Sequence, residues 1–123
     1  MIVHLNQNAR MSAAVIHAGT VYLSGQVPAS PEGDIRIQAA SVLQKIDRIL
    51  AQAGTDKSRL LSAVIYLADI SDFEAMNEVW DEWVSPNGLP SRTTVQAQLA
   101  NPAYRIEITC TAALGDAPAA IGD

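Results

Sequence analysis

Residues 92–113 read RTTVQAQLANPAYRIEITCTAA, and two runs within them alternate with a period of two. Thr93, Val95, Ala97 and Leu99 share one side of the first run; Arg92, Thr94, Gln96 and Gln98 share the other. After Asn101-Pro102 the pattern resumes, with Ile106, Ile108, Cys110 and Ala112 opposite Arg105, Glu107, Thr109 and Thr111. Successive side chains of a strand point to opposite faces, so the pattern predicts two strands, roughly 92–99 and 104–113. Each has an apolar row for a core and a polar row for something else. Such a sheet needs helices on one side only.

The helices lie upstream. In DIRIQAASVLQKIDRILAQAG (34–54), Ala39, Val42, Leu43, Ile46, Ile49, Leu50 and Ala53 recur at helical spacing, with Asp34 as cap and Gly54 as stop. Ser71-Asp72-Phe73-Glu74 has the form of a capping box and opens a second helix through about Val84. Its Met76, Trp80, Trp83 and Val84 form an apolar stripe, with Asn77 just beside it. Between the helices, LLSAVIYLA (60–68) is an apolar run of strand length. Before them, SAAVIHAGTVYLSGQVP (12–28) reads as two β runs joined at Ala18-Gly19-Thr20, and IVHL (2–5) as a short first strand. The order β-β-β-α-β-α-β-β predicts an α+β fold, one domain over 1–123 with a frayed tail at 114–123. Tyr22, Ser24 and Gln26, with Val64 and Tyr66, join Thr and Gln side chains on the uncovered face. That face is either wet or packed against another copy of the chain, and its composition favours association.

Composition narrows the function. The chain is 49% hydrophobic and 17% charged, which fits a folded domain rather than a disordered one. Its net charge of −5 and its 8 basic residues, with no basic run, disfavour nucleic-acid binding. The single Cys110 has no partner for an intrachain disulfide, and no Cys/His set has zinc spacing. No apolar stretch approaches the ~20 residues of a membrane helix, and MIVHLNQNAR has no signal-peptide pattern. A cytoplasmic protein with no membrane partner is the expectation.

Few residues offer chemistry. Arg92 can fork onto a carboxylate, and Glu107 can hold or deprotonate a water. Taken singly, each also reads as a solvated charge, and the two together as a plain ion pair. Ser24-Gly25 ends a strand where backbone can approach a ligand, or where the chain simply leaves the sheet. Ser24 lacks a His-Asp partner set and a nucleophile-elbow motif. His4 and His17 have no metal-like spacing and read as edge or turn residues. No phosphate-binding glycine motif is present.

SGQVP, DFEAMNEVWDEW, PSRTTV and RIEITCTAA, in this order and spacing, resemble the Rid (YjgF) family of reactive intermediate deaminases. The resemblance spans about residues 10–113. It implies a chorismate-mutase-like fold of about six strands with two helices on one face, assembled as a homotrimer with clefts between subunits. It also implies hydrolysis of enamine/imine intermediates such as 2-aminoacrylate to a 2-keto acid and ammonia, without cofactor or metal. Arg92 matches the carboxylate-gripping arginine and Glu107 the water-positioning glutamate, at the family separation of 107 − 92 = 15. Ser24, Gly25 and Asn77 match cleft-lining positions. Met11 stands where many members have tyrosine, and Thr94 where many have cysteine. A trimer that binds a 2-keto acid without turnover, a structural trimer and an endoribonuclease are the alternatives, the last at odds with the acidic charge.

Overall fold

A computed structural model describes residues 1–115. Six strands form one mixed sheet: β1 (Val3–Leu5), β2 (Ala14–His17), β3 (Thr20–Leu23), β4 (Leu60–Leu67), β5 (Ser91–Gln96) and β6 (Ile106–Ala113), in the order β1-β2-β3-β6-β4-β5. Helices α1 (Ile35–Ala53) and α2 (Phe73–Trp83) complete the α+β arrangement. Every strand pair is antiparallel except β4/β5, which α2 connects as a crossover. Among the described residues no helix is long and apolar enough to cross a membrane.

Local chemistry fixes the ends. β2 and β3 are joined by Ala18 (φ 51°) and Gly19 (φ 82°), the pair of positive φ angles that a two-residue hairpin with native twist requires. The Asp34 carboxylate accepts from Ile37 N at 3.0 Å, and Gly54 closes α1 at φ 89°. The capping box at Ser71–Glu74 does not form. Instead Asp69 caps a short 3₁₀ turn, Ile70–Asp72, and the Asp72 carboxylate makes no cap bond. It is drawn to Arg105, which forks onto it with Nε–Oδ2 3.0 Å and Nη2–Oδ1 3.2 Å.

The core lies between the helices and one face of the sheet. Ile46, Leu50, Ile65, Leu67, Met76, Ile106 and Ile108 are fully buried there, each contributing roughly 1.5–3 kcal/mol. Although β4 is largely apolar, its burial alternates: Ala63, Ile65 and Leu67 face the helices, while Val64 and Tyr66 are half-buried on the other side. That open face carries Tyr22 (48% exposed), as the strand pattern predicts, and also Val95 (39%) and Thr93, which the pattern assigned to the core row. The register of β5 with β4 turns Arg92 and Thr94 to the helix side instead. Gln38 ties the loops together: Nε2 donates to Pro31 O (3.2 Å), Gly33 O (3.2 Å) and Ala103 O (3.1 Å), and Oε1 accepts from Arg105 N (2.7 Å).

Four further sequence expectations need correction. Strand β5 stops at Gln96, so Ala97 and Leu99 belong to a loop rather than to the Thr93/Val95 row. Arg105 precedes β6 and pairs with Asp72 instead of joining the Glu107 row. Gln26 is buried rather than on the open face, because the chain bulges before it. Trp83 is half-buried at the helix surface, where Nε1 donates to Asp47 Oδ2 at 3.0 Å. Leu114 is held by N–H donation to Gly19 O (2.9 Å); the rest of the expected fraying, residues 116–123, lies outside the described residues.

Candidate active site

Two clusters of predicted residues form, on opposite sides of the sheet. The first surrounds Glu107. Strand β3 pairs with β6 at Tyr22↔Thr111, and the chain pairs again at Gln26↔Ile108. Four steps on one chain thus face three on the other, a bulge that pushes Ser24-Gly25 outward. The bulge is pinned from all sides. Thr109 Oγ1 donates to Leu23 O (2.9 Å), Ser24 N to Ala13 O (3.0 Å), and Gln26 Nε2 to Ser24 O (3.1 Å). Ser24 Oγ donates to Ala13 O at 3.2 Å, so its hydroxyl is engaged in holding the bulge.

Gly25 comes to rest against Glu107. A Cβ built there would overlap the Glu107 carboxylate, so this approach requires glycine. Among the described residues the Gly25 N–H has no acceptor. Glu107, opposite Tyr66 on β4, is half-buried at the floor of an open cleft of about 450 Å³. Tyr66, Thr109, Gly25 and the loop 97–100 form its walls. A carboxylate beside a free backbone N–H can hold a water and offer a hydrogen-bond donor to a small polar ligand.

The second cluster surrounds Arg92. Strand β5 sets Arg92 opposite Ala63 and Thr94 opposite Ile65, both on the helix-covered side. Facing them are Phe73, Asn77 and Trp80 of α2, at i, i+4 and i+7 on one helix face. The guanidinium carbon lies 5.3 Å from the Trp80 ring centroid and 5.9 Å from that of Phe73, within the range of cation–π attraction. Among the described residues no carboxylate or carbonyl accepts from it. Arg105 and Arg36, by contrast, are paired with Asp72 and Glu78. Beside Arg92, the buried Asn77 Oδ1 and Thr94 Oγ1 have no hydrogen-bond partner. The depression above is about 410 Å³, rimmed by Glu74, Asp81, Leu89 and Pro90.

Arg92 and Glu107 do not meet. The sequence reading set both on the polar faces of their strands, but β5 runs parallel to β4, and its register turns Arg92 under α2 while Glu107 points to the open face. Three residues along β4 and two strand spacings separate them, roughly 14 Å between Cα atoms. No ligand the size of a keto acid touches both within one copy. Met11 stands apart from either cluster, exposed in a loop closed by Asn8, whose Oδ1 accepts from Arg10 N (2.8 Å) and Met11 N (3.0 Å). The aromatic pair Phe73/Trp80 was not singled out from sequence as part of a site; its i, i+7 spacing around Asn77 is the signal that locates it. Among the described residues no group of His, Cys, Asp and Glu is placed to hold a metal ion.

Comparison with known proteins places the chain in a family. The family model described as endoribonuclease L-PSP matches residues 1–114. A RutC family protein of Haemophilus ducreyi is 45% identical over 114 residues, covering 93% of this chain and 97% of that protein. The RutC family protein YoaB of Escherichia coli is 46% identical over 113 residues, covering 92% and 98%. The crystal structure of a YjgF family member from Neisseria meningitidis is 44% identical with a TM-score of 0.93, covering 95% of this chain and 98% of that one. The chain belongs to the endoribonuclease L-PSP family, the family of the RutC and YjgF (Rid) proteins.

Proposed function

We propose that this protein is an imine hydrolase that converts a 2-imino acid to a 2-keto acid and ammonia in clefts between the subunits of a homotrimer. The observation that carries this reading is the unpaired Arg92 guanidinium, backed by aromatic rings and flanked by two buried oxygens without partners. A buried polar group left unsatisfied costs about 1–3 kcal/mol, so the arrangement makes sense around a ligand. A carboxylate fits the guanidinium fork, and Asn77 and Thr94 oxygens fit adjacent donors.

The separation of Arg92 from Glu107 supports a shared site. One copy contributes the Arg92, Asn77 and Thr94 half, and its neighbour contributes Ser24, Gly25 and Glu107. Met11 would enter only through such a neighbour. The open face, with its Tyr22, Thr93 and Val95 side chains, is the surface on which copies associate. In the cleft, Glu107 takes a proton from a water as its oxygen bonds to the imine carbon and the π electrons move to nitrogen. The proton passes to that nitrogen to give the carbinolamine. Its hydroxyl proton then moves through Glu107 to the amine as the C–N bond breaks and the C=O bond forms, releasing ammonia and leaving the keto acid. General acid–base help of this kind is worth about 10²–10⁴-fold. No cofactor enters these steps.

RNA cleavage fits less well: the net charge is −5, and α2 beside Arg92 carries Glu74, Glu78, Asp81 and Glu82 with no Lys or Arg. The test is to generate 2-aminoacrylate with a serine dehydratase and follow keto-acid release. The wild type should accelerate it, and Arg92→Lys, which keeps charge but loses the fork, should lose most of that acceleration while remaining folded. Unchanged turnover by Arg92→Lys would remove the arginine from the mechanism. Binding of 2-ketobutyrate without any ammonia release would mark the protein as a keto-acid sensor.

A further inference from the structure

We propose that Phe73 and Trp80 are positioning residues for Arg92: their rings hold the guanidinium in place and balance its charge without occupying its N–H groups. The inference rests on the reading that Arg92 binds a carboxylate. A side chain as long as arginine loses much rotamer freedom when it is fixed for a ligand, and a preorganised fork binds more tightly than a mobile one. A protein carboxylate could fix it, but would consume the donors that the ligand needs, as Asp72 does with Arg105. Aromatic faces do not. They attract the cation through their quadrupole and leave its edge free. Glu74 and Asp81 rim the same depression, yet neither pairs with Arg92. The rings keep the arginine out of their grip.

The support is itself anchored. Trp80 is buried, and its ring packs against Trp83 at 5.5 Å between centroids, tilted by 50°. Trp83 is fixed in turn by the Asp47 hydrogen bond at 3.0 Å and by Lys57, whose Nζ lies 5.2 Å from the ring centroid. A run of contacts thus extends from Lys57 through two indoles to Arg92. Because Phe73, Asn77 and Trp80 share one face of α2, the helix that supports the arginine also presents the Asn77 oxygen beside it.

The test uses 2-ketobutyrate as probe, with affinity read by NMR titration, alongside steady-state kinetics on 2-aminoacrylate. Phe73→Leu and Trp80→Leu should weaken binding and raise KM by about 2- to 30-fold, the range of cation–π attraction, with kcat changed far less. Trp80→Phe and Phe73→Tyr, which keep a ring, should restore most of the affinity. In an Arg92→Ala background the leucine substitutions should have no further effect, because their action runs through the arginine. Trp80 is in the core, so if its leucine variant fails to fold, the half-buried Phe73 carries the experiment. Wild-type affinity in Phe73→Leu, or the same loss with and without Arg92, would overturn the positioning role. Wild-type affinity in Arg92→Ala alone would instead overturn the carboxylate reading on which this one stands.

Discussion

Substituting Gly25 by alanine isolates the placement of Glu107 from the stability of the fold. The new Cβ would overlap the carboxylate oxygen and come to 3.0 Å from Cδ and 3.3 Å from Cγ, where ordinary contact begins at 3.4 Å. The side chain must therefore swing by about 1 Å or more, into the open cleft that has room for it. A misplacement of about 1 Å in a catalytic group can cost about 10²-fold in rate, equivalent to about 2.7 kcal/mol of barrier. The fold should barely respond. Gly25 has no positive φ, so alanine is compatible with the backbone, and restricting the unfolded chain stabilises by about 0.4–1 kcal/mol. The displaced group is the flexible end of a half-buried side chain, so the net change in stability should stay within about 1 kcal/mol, or about 4 °C in Tm. The assay is kcat/KM on 2-aminoacrylate beside a thermal melt. A hundredfold loss at nearly constant Tm supports the placement; full activity would refute it, and so would activity lost only because the protein melts early.

Other outcomes follow from the packing and the titrating groups. Gln38→Leu strands three carbonyls and the Arg105 N–H, at about 1–3 kcal/mol for each group left without water; urea unfolding should show a loss of about 2–4 kcal/mol, and less than 1 would show that the loops resolvate freely. Burial pushes the Cys110 thiol from 9.0 up to about 12, so native protein at pH 8 should resist thiol reagents that label it once unfolded. Between those pH values the unfolded thiol has lost its proton while the native one keeps it. Stability should therefore fall above about pH 9 by up to about 1.4 kcal/mol per pH unit, a slope that Cys110→Ala removes. Asp56 and Asp69 are held below the usual carboxylate range by Ser58 and Ser71, hydroxyl first and backbone N–H second. Their stabilising effect is present above the unfolded pKa and lost as pH falls through the lower native one. Melts below about pH 4 should show the loss, and it should shrink in a Ser58→Ala/Ser71→Ala double variant.

What was legible in the sequence followed how local each determinant is. The hairpin at Ala18-Gly19, the Asp34 cap and the Gly54 stop are decided within a few residues, and all three form. The Ser71–Glu74 box fails because the Asp69 carboxylate already takes the Ser71 N–H and the N-cap falls one residue later, at Asp72. The Asp72 carboxylate itself answers to Arg105, a partner thirty-three residues away that no local motif announces. The alternation in β6 was read correctly because every second residue meets the core. In β5 the same reading chose the wrong side for Arg92, since an edge strand's orientation depends on its register with β4 and on which residues α2 sets above it. Likewise the Ser24-Gly25 bulge, visible only once β3 and β6 pair, turns Gln26 inward and brings Gly25 to Glu107. Candidates Arg92, Asn77, Thr94, Ser24, Gly25 and Glu107 were named from sequence, but neither the ring of Phe73 nor the division of these residues between two faces was visible until the strands paired.

A subunit-mixing experiment tests the shared site most directly. Arg92→Ala and Glu107→Ala chains, each inactive alone, are unfolded together, refolded, and checked by native mass spectrometry for mixed oligomers. If each cleft draws Arg92 from one copy and Glu107 from the next, random mixing rebuilds intact clefts in about a quarter of positions, and imine hydrolysis should return to about that fraction of wild type. Mixed oligomers that form but release no ammonia would contradict the account, because every chain would then carry its own defect into its own site.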